Sequence, residues 1–96
     1  MKKFKVLIED VEEIGSIAQL LFHRTKEEII NYLSDEFSST FDSEEEALAF
    51  IKRFFDDIDE DFYKELWLPF IVVIKENNII NIEQYNYNLE LVDEVF

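Results

Sequence analysis

The sequence predicts an α+β fold: an antiparallel sheet of about four strands, in the chain order β-β-α-α-α-β-β, with its helices packed on one face. Three observations carry this expectation. Residues 3–9 alternate apolar and polar and residues 70–74 form a continuous β-prone run. Two helix-start motifs, Thr25-Lys26-Glu27-Glu28 and Ser43-Glu44-Glu45-Glu46, open the middle of the chain. No stretch rich in Pro, Gly or Ser divides the 96 residues, so one domain over 1–96 is expected, with a radius of gyration of roughly 12–13 Å.

In the first strand Phe4, Val6 and Ile8 share one side and Lys3, Lys5 and Glu9 the other. The only glycine, Gly15, suits a turn position of positive φ, after which residues 17–24 read as a second strand closing a hairpin. A helical stripe of Ile14, Ile17, Ala18 and Leu21 is the alternative for that segment.

In the first motif the Thr25 hydroxyl can accept from the third helical N–H while Glu28 reaches back to the cap. Ile29, Ile30, Leu33 and Phe37 then define a buried face, and residues 38–40 end the helix. The second motif starts a helix whose inner stripe is Ala47, Ile51, Phe54, Phe55 and Ile58, with three glutamates at its positive end. The likeness of the two starts, 18 residues apart, is common helix grammar and not a repeat. Asp59 is placed to cap a short third helix that Pro69 stops.

The run Phe70, Ile71, Val72, Val73 and Ile74 reads as a central strand, and Asn77-Asn78 as a two-residue turn into a strand over 79–87. The apolar phase of that strand moves from Ile80 and Ile82 to Tyr85 and Tyr87, which predicts a bulge near Glu83 or a second apolar surface. Residues 89–96 fit a fifth short strand or a helical turn. The expected core is Phe4, Val6, Ile8, Ile30, Leu33, Ile51, Phe54, Phe55, Val72 and Ile74.

The chemistry is mostly negative information. With no cysteine the chain has no disulfide or thiolate site, a composition that fits a reducing, cytoplasmic compartment. No apolar run approaches the ~18 residues of a spanning helix. His23 lacks the flanking signature of a nucleophile system and reads as structural. Asp57, Asp59 and Asp61 have the 1-3-5 spacing of a calcium loop, but Phe62 stands where the loop needs Gly and Leu68 where it needs Glu. No catalytic residue, metal ligand or cofactor is therefore assigned, and a non-enzymatic role is expected.

Charge is the remaining signal: 9 basic against 23 acidic residues give a net −14. The acids gather in three strips: Glu9, Asp10, Glu12 and Glu13; Asp42, Glu44, Glu45 and Glu46; and Asp56, Asp57, Asp59, Glu60 and Asp61. Nine basic residues leave no stripe to neutralise phosphates, so neither nucleic acid nor an anionic membrane is an expected partner. DNA carries a negative charge every ~1.7 Å of its axis, and a folded surface with rows of carboxylates can occupy the basic groove that normally takes phosphates. The partner so predicted is a basic nucleic-acid-binding protein. The plain alternative is that the acids serve only solubility. Trp67, Tyr85 and Tyr87 are a second candidate surface, on an uncovered sheet face or a homodimer contact.

In size, acidity and absence of catalytic motif the chain resembles the small inhibitors of phages and other mobile elements, anti-CRISPR proteins and DNA mimics among them, and toxin-neutralising immunity proteins. The resemblance implies a host nuclease or CRISPR effector as target, met in the host cytoplasm, or a basic nuclease toxin.

Overall fold

Strand β1 (Lys2–Asp10) lies inside a five-stranded antiparallel sheet in the computed structural model, which describes residues 1–33 and 39–95. The other elements are α1 (Ile17–His23), α2 (Lys26–Leu33), β2 (Ser39–Phe41), α3 (Glu44–Asp56), α4 (Asp61–Lys64), β3 (Trp67–Lys75), β4 (Asn78–Tyr85) and β5 (Leu91–Glu94). The sheet order is β2-β1-β3-β4-β5, so the apolar run of β3 is central, as its composition predicts. The α+β class holds, with one strand more than expected.

Residues 17–24 are not a strand, and there is no N-terminal hairpin. Ser16 caps α1 by accepting from the Gln19 N–H at 3.2 Å, and the Gln19 side chain reaches back to accept from the Gly15 N–H. The Ser16 half is that of a capping box, but Gln19 meets the N–H of the residue before the cap and not that of the cap itself; the segment is the helix of the alternative reading. Gly15 does not take positive φ, and a Cβ there would meet only the movable end of the Gln19 side chain, Oε1 at 2.6 Å, so neither backbone geometry nor backbone crowding calls for glycine. The two motifs read as helix starts behave as predicted: Thr25 accepts from the Glu28 N–H at 3.1 Å and Ser43 from the Glu46 N–H at 3.2 Å.

Helices cover both faces of the sheet, not one. Leu7, Phe70, Val72 and Ile82 point to a layer built from Ile17 and Leu20 of α1 and Ile29 of α2. Their chain neighbours Val6, Ile71 and Val73 point the other way, against Ala47, Ile51 and Phe55 of α3. With a side-chain period of two, a strand that is apolar on both sides must be buried on both. Of the expected core, Val6, Ile51, Phe55 and Val72 are buried, while Phe4, Ile8, Phe54 and Ile74 pack at the margins. Ile30 is a correction: it is exposed and its neighbour Ile29 is buried, because α2 turns that face inward. The side chain of Leu33 and the whole of Phe37 lie outside the described residues.

The β3–β4 turn falls one residue earlier than Asn77-Asn78. Lys75 pairs with Asn78, and the two residues between them, Glu76 and Asn77, have φ of 53° and 66°. Positive φ at both positions is the type I′ geometry whose twist matches a hairpin. β4 meets two irregularities: against β3, Val73 pairs with Asn81 and Ile74 with Ile79, leaving Ile80 extra, and against β5 the register shifts between Gln84 and Tyr85, beside Glu83 as expected. Pro69 pairs with Ile8, while β4 is joined only from Phe70 onward, so its missing N–H leaves the central ladder intact.

Candidate protein-binding face

The topology sorts the three acidic strips into two places. Asp10 is the register partner of Trp67, and the Val11 N–H donates to the Leu66 carbonyl at 2.9 Å. The loop after β1 therefore lies against the segment that joins α4 to β3. Residues 57–61 link the end of α3 to α4, so Asp10, Glu12 and Glu13 lie at the same end of the sheet as Asp57, Asp59, Glu60 and Asp61. Of the first strip, Glu9 and Asp10 end β1 and Glu12 and Glu13 lie in a β1–α1 loop, not in the hairpin loop expected for them.

The second strip is elsewhere. Phe41 pairs with Phe4, so residues 42–46 begin α3 at the opposite end, ~20 Å away along a thirteen-residue helix. Asp42 is ion-paired with Lys3. Glu44 accepts the Tyr85 hydroxyl proton at 2.8 Å, and Glu45 and Glu46 are exposed.

Not every acid of the first and third strips faces outward. Glu9 is 4% exposed and bonds Arg24 at 2.8 Å, an arrangement that removes it from any contact surface. Its alternation with Ile8 put it on the side opposite the first-strand stripe, and that side is covered by α1 and α2. Asp56 is paired with Lys52 at 2.7 Å and Asp61 with Lys64 at 3.6 Å, around a cleft of about 360 Å³ that Tyr87 also lines. Both of these paired acids are nevertheless exposed, as are Asp57, Asp59, Glu60, Glu12 and Glu13, while Asp10 is half-buried.

The aromatic surface expected from Trp67, Tyr85 and Tyr87 does not form. With α3 over that sheet face, Tyr85 is buried and Tyr87 is half-buried beside Phe55, ring centroids 6.3 Å apart. Trp67 alone keeps substantial exposure, and its company is different: Phe62 and Tyr63 of α4 are 66% and 53% exposed, their rings stacked edge to face at 5.5 Å. The helix expected from an Asp59 cap through Leu66 is shorter, Asp61–Lys64, with Glu60 at the cap position and no side-chain cap bond, and a four-residue helix carrying Phe62 and Tyr63 cannot bury two consecutive rings on one side. That was the available signal.

A further acidic group sits at the far end. Glu83 pairs with Glu94 across β4 and β5, and its Oε1 is buried without a hydrogen-bond partner among the described residues. Burial first, then the charges of Glu44 and Glu94, push its carboxyl above the usual range, and the nearby Tyr85 hydroxyl offsets only part. Burial and the hydrogen bond to Glu44 raise the Tyr85 phenol likewise. Among the described residues no group of three or more His, Asp or Glu side chains is arranged to hold a metal ion.

No family model, curated protein or solved structure matches the chain. Function must be argued from its own residues. Among the described residues no helix is long and apolar enough to cross a membrane. The β1–α4 end is the region where exposed carboxylates and exposed aromatic rings coincide, a mixture suited to the rim and anchors of a protein contact.

Proposed function

We propose that the protein is a non-enzymatic inhibitor that binds a basic, nucleic-acid-handling protein and blocks the groove where that protein takes its nucleic acid. The observation that carries the reading is that Asp10, Glu12, Glu13, Asp57, Asp59, Glu60 and Asp61 lie at the end of the sheet that also carries exposed Phe62, Tyr63 and Trp67. Carboxylates held on a folded scaffold attract the Lys and Arg that receive phosphates, and the rings supply the desolvated contacts that charge alone lacks. A host nuclease or CRISPR effector fits as target, and the cytoplasm is where they meet. The same physics serves an immunity protein that neutralises a basic nuclease toxin.

The test is competition. Purified basic nucleases and DNA-binding proteins, each holding labelled DNA, are titrated with the protein at 50 and 500 mM salt. The protein should displace the DNA from its target, not bind DNA itself, and lose potency at high salt through screening. Reversal of Asp57, Asp59 and Asp61 to Lys should weaken displacement by about tenfold or more, as expected for steering charges, while reversal of Glu44, Glu45 and Glu46 should leave most of it. Equal displacement by both variants and the wild type would reduce the acids to solvation.

A further inference from the structure

At the edge of β1, where the two helix layers meet, a cleft of about 420 Å³ is lined by Ile8, Tyr32, Phe50, Phe54 and Trp67. Four of these five residues are aromatic, and the five come from β1, α2, α3 and β3. The described part of the wall is therefore built from four elements of the fold. Phe54 meets Trp67 edge to face at 6.0 Å and Phe55 at 5.2 Å, while Phe50 leans on Phe41 at 5.4 Å.

Ring faces are electron-rich, and a cation within ~6 Å of a centroid is attracted to them. The structure already uses this chemistry at Tyr32, where the Arg24 guanidinium lies 4.0 Å from the ring centroid. Glu9, at 2.8 Å, compensates that guanidinium, so Arg24 does not repel a second cation. Asp10 is the register partner of Trp67, and Asp57 follows Phe54 by three residues at the end of α3. A net charge of −14 adds a long-range field of the same sign.

We infer that this cleft receives an arginine side chain of the basic partner, its guanidinium stacked among Trp67, Phe54, Phe50 and Tyr32. Arginine fits better than lysine because its planar, weakly hydrated cation can leave water and stack, whereas an ammonium holds its hydration shell. A leucine or phenylalanine would fill the same space but gain nothing from the net negative field of the protein. The inference rests on the proposed reading and adds the chemistry by which that end would select its partner.

Trp67 is the only tryptophan of the 96 residues, so its fluorescence reports the cleft directly without a label. The probes are four capped pentapeptides with glycine on both sides of a central arginine, lysine, citrulline or leucine. The arginine peptide should shift Trp67 emission and bind at least fivefold tighter than the lysine peptide of equal charge and the citrulline peptide of equal shape. Phe50→Leu and Phe54→Leu, which leave the charge unchanged, should each weaken it at least fivefold. Equal binding of arginine and lysine, tightest binding of leucine, or wild-type affinity in both variants would overturn the inference. The peptide comparison needs only the wild type, so a variant that fails to fold leaves the test intact. DNA displacement that persists without arginine preference would sink this inference alone; arginine preference without displacement would sink the proposed function.

Discussion

The Glu9 carboxylate meets the Arg24 guanidinium at 2.8 Å beneath the α1–α2 layer, with the Glu9 side chain 4% and that of Arg24 22% exposed. Arg24 closes α1 and Tyr32 ends α2, so the ion pair and the cation–π stack fasten both short helices to β1. Removing one partner leaves the other charge buried and unpaired. Arg24→Ala should cost about 3–5 kcal/mol in a urea titration. By contrast Lys52→Ala, which breaks an exposed i,i+4 pair with Asp56, should cost about 0.5 kcal/mol or less. Similar losses for the two variants would show that Glu9 is not sealed from water.

Phe54 and Phe55 are adjacent but differ in burial, since Phe55 is 2% exposed in the α3 layer and Phe54 lies at its margin in the aromatic cleft. Phe55→Ala should cost about 3–5 kcal/mol. Phe54→Ala should cost less, about 1–2 kcal/mol, because its ring is only partly removed from water. A reversed order in chemical denaturation would mean that the helix is rotated from the described phase.

Glu76 holds a φ of 53° in the β3–β4 turn, a region that a glutamate side chain disfavours. The double substitution Glu76→Asn with Asn77→Gly installs the pair that type I′ turns prefer. It should stabilise the protein by about 1 kcal/mol, the scale of the left-handed penalty for one residue. An unchanged or lower denaturation midpoint would contradict the turn assignment.

Glu83 has its pKa raised in the folded state, so folding there takes up protons. The sign is opposite to that of a salt-bridged carboxylate: the ionised form is a burden at neutral pH, and the burden is lifted as pH falls from the raised folded value toward the ordinary value of 4.5. Glu83→Gln should therefore stabilise the protein at pH 7 and lose that advantage near pH 4.5. Thermal melts of both proteins across pH 4–7 measure this directly; a gain that does not change with pH would trace to some other cause. Tyr85 gives a second window, because its raised pKa makes stability fall as pH climbs above 10.

Local grammar was legible and layer arrangement was not. Thr25 and Ser43 announce their helices through hydroxyl caps, and the alternation of Phe4, Val6 and Ile8 announces β1, because each depends only on near neighbours. Residues 17–24 were missed because Gln19 stands where a glutamate is the more familiar box partner, and because a seven-residue helix has too few turns to show its period. The helix layers were placed on one face because β1 alternates cleanly, although Leu7 on its other side and the unbroken run of β3 point to burial on both. Among candidate contact residues, charge clustering was plain, but the pairing of Glu9 with Arg24, of Asp42 with Lys3 and of Tyr85 with Glu44 depends on partners 15 to 41 residues away. No short window contains such pairs.

The place of β1 inside the sheet has a kinetic consequence. Its register with β3 runs from Lys2 with Lys75 to Asp10 with Trp67, so its ladder closes loops of 57 to 73 residues. β3, β4 and β5 instead follow one another as a meander, the first two joined by a two-residue turn. Loop-closure entropy makes the meander the cheaper nucleus and the docking of β1 the late, rate-limiting event. On a ribosome, Phe4, Val6, Leu7 and Ile8 would emerge before β3 and stay unpaired until it is made, so their exposure to aggregation and proteases is set by the time needed to synthesise the residues between the two strands.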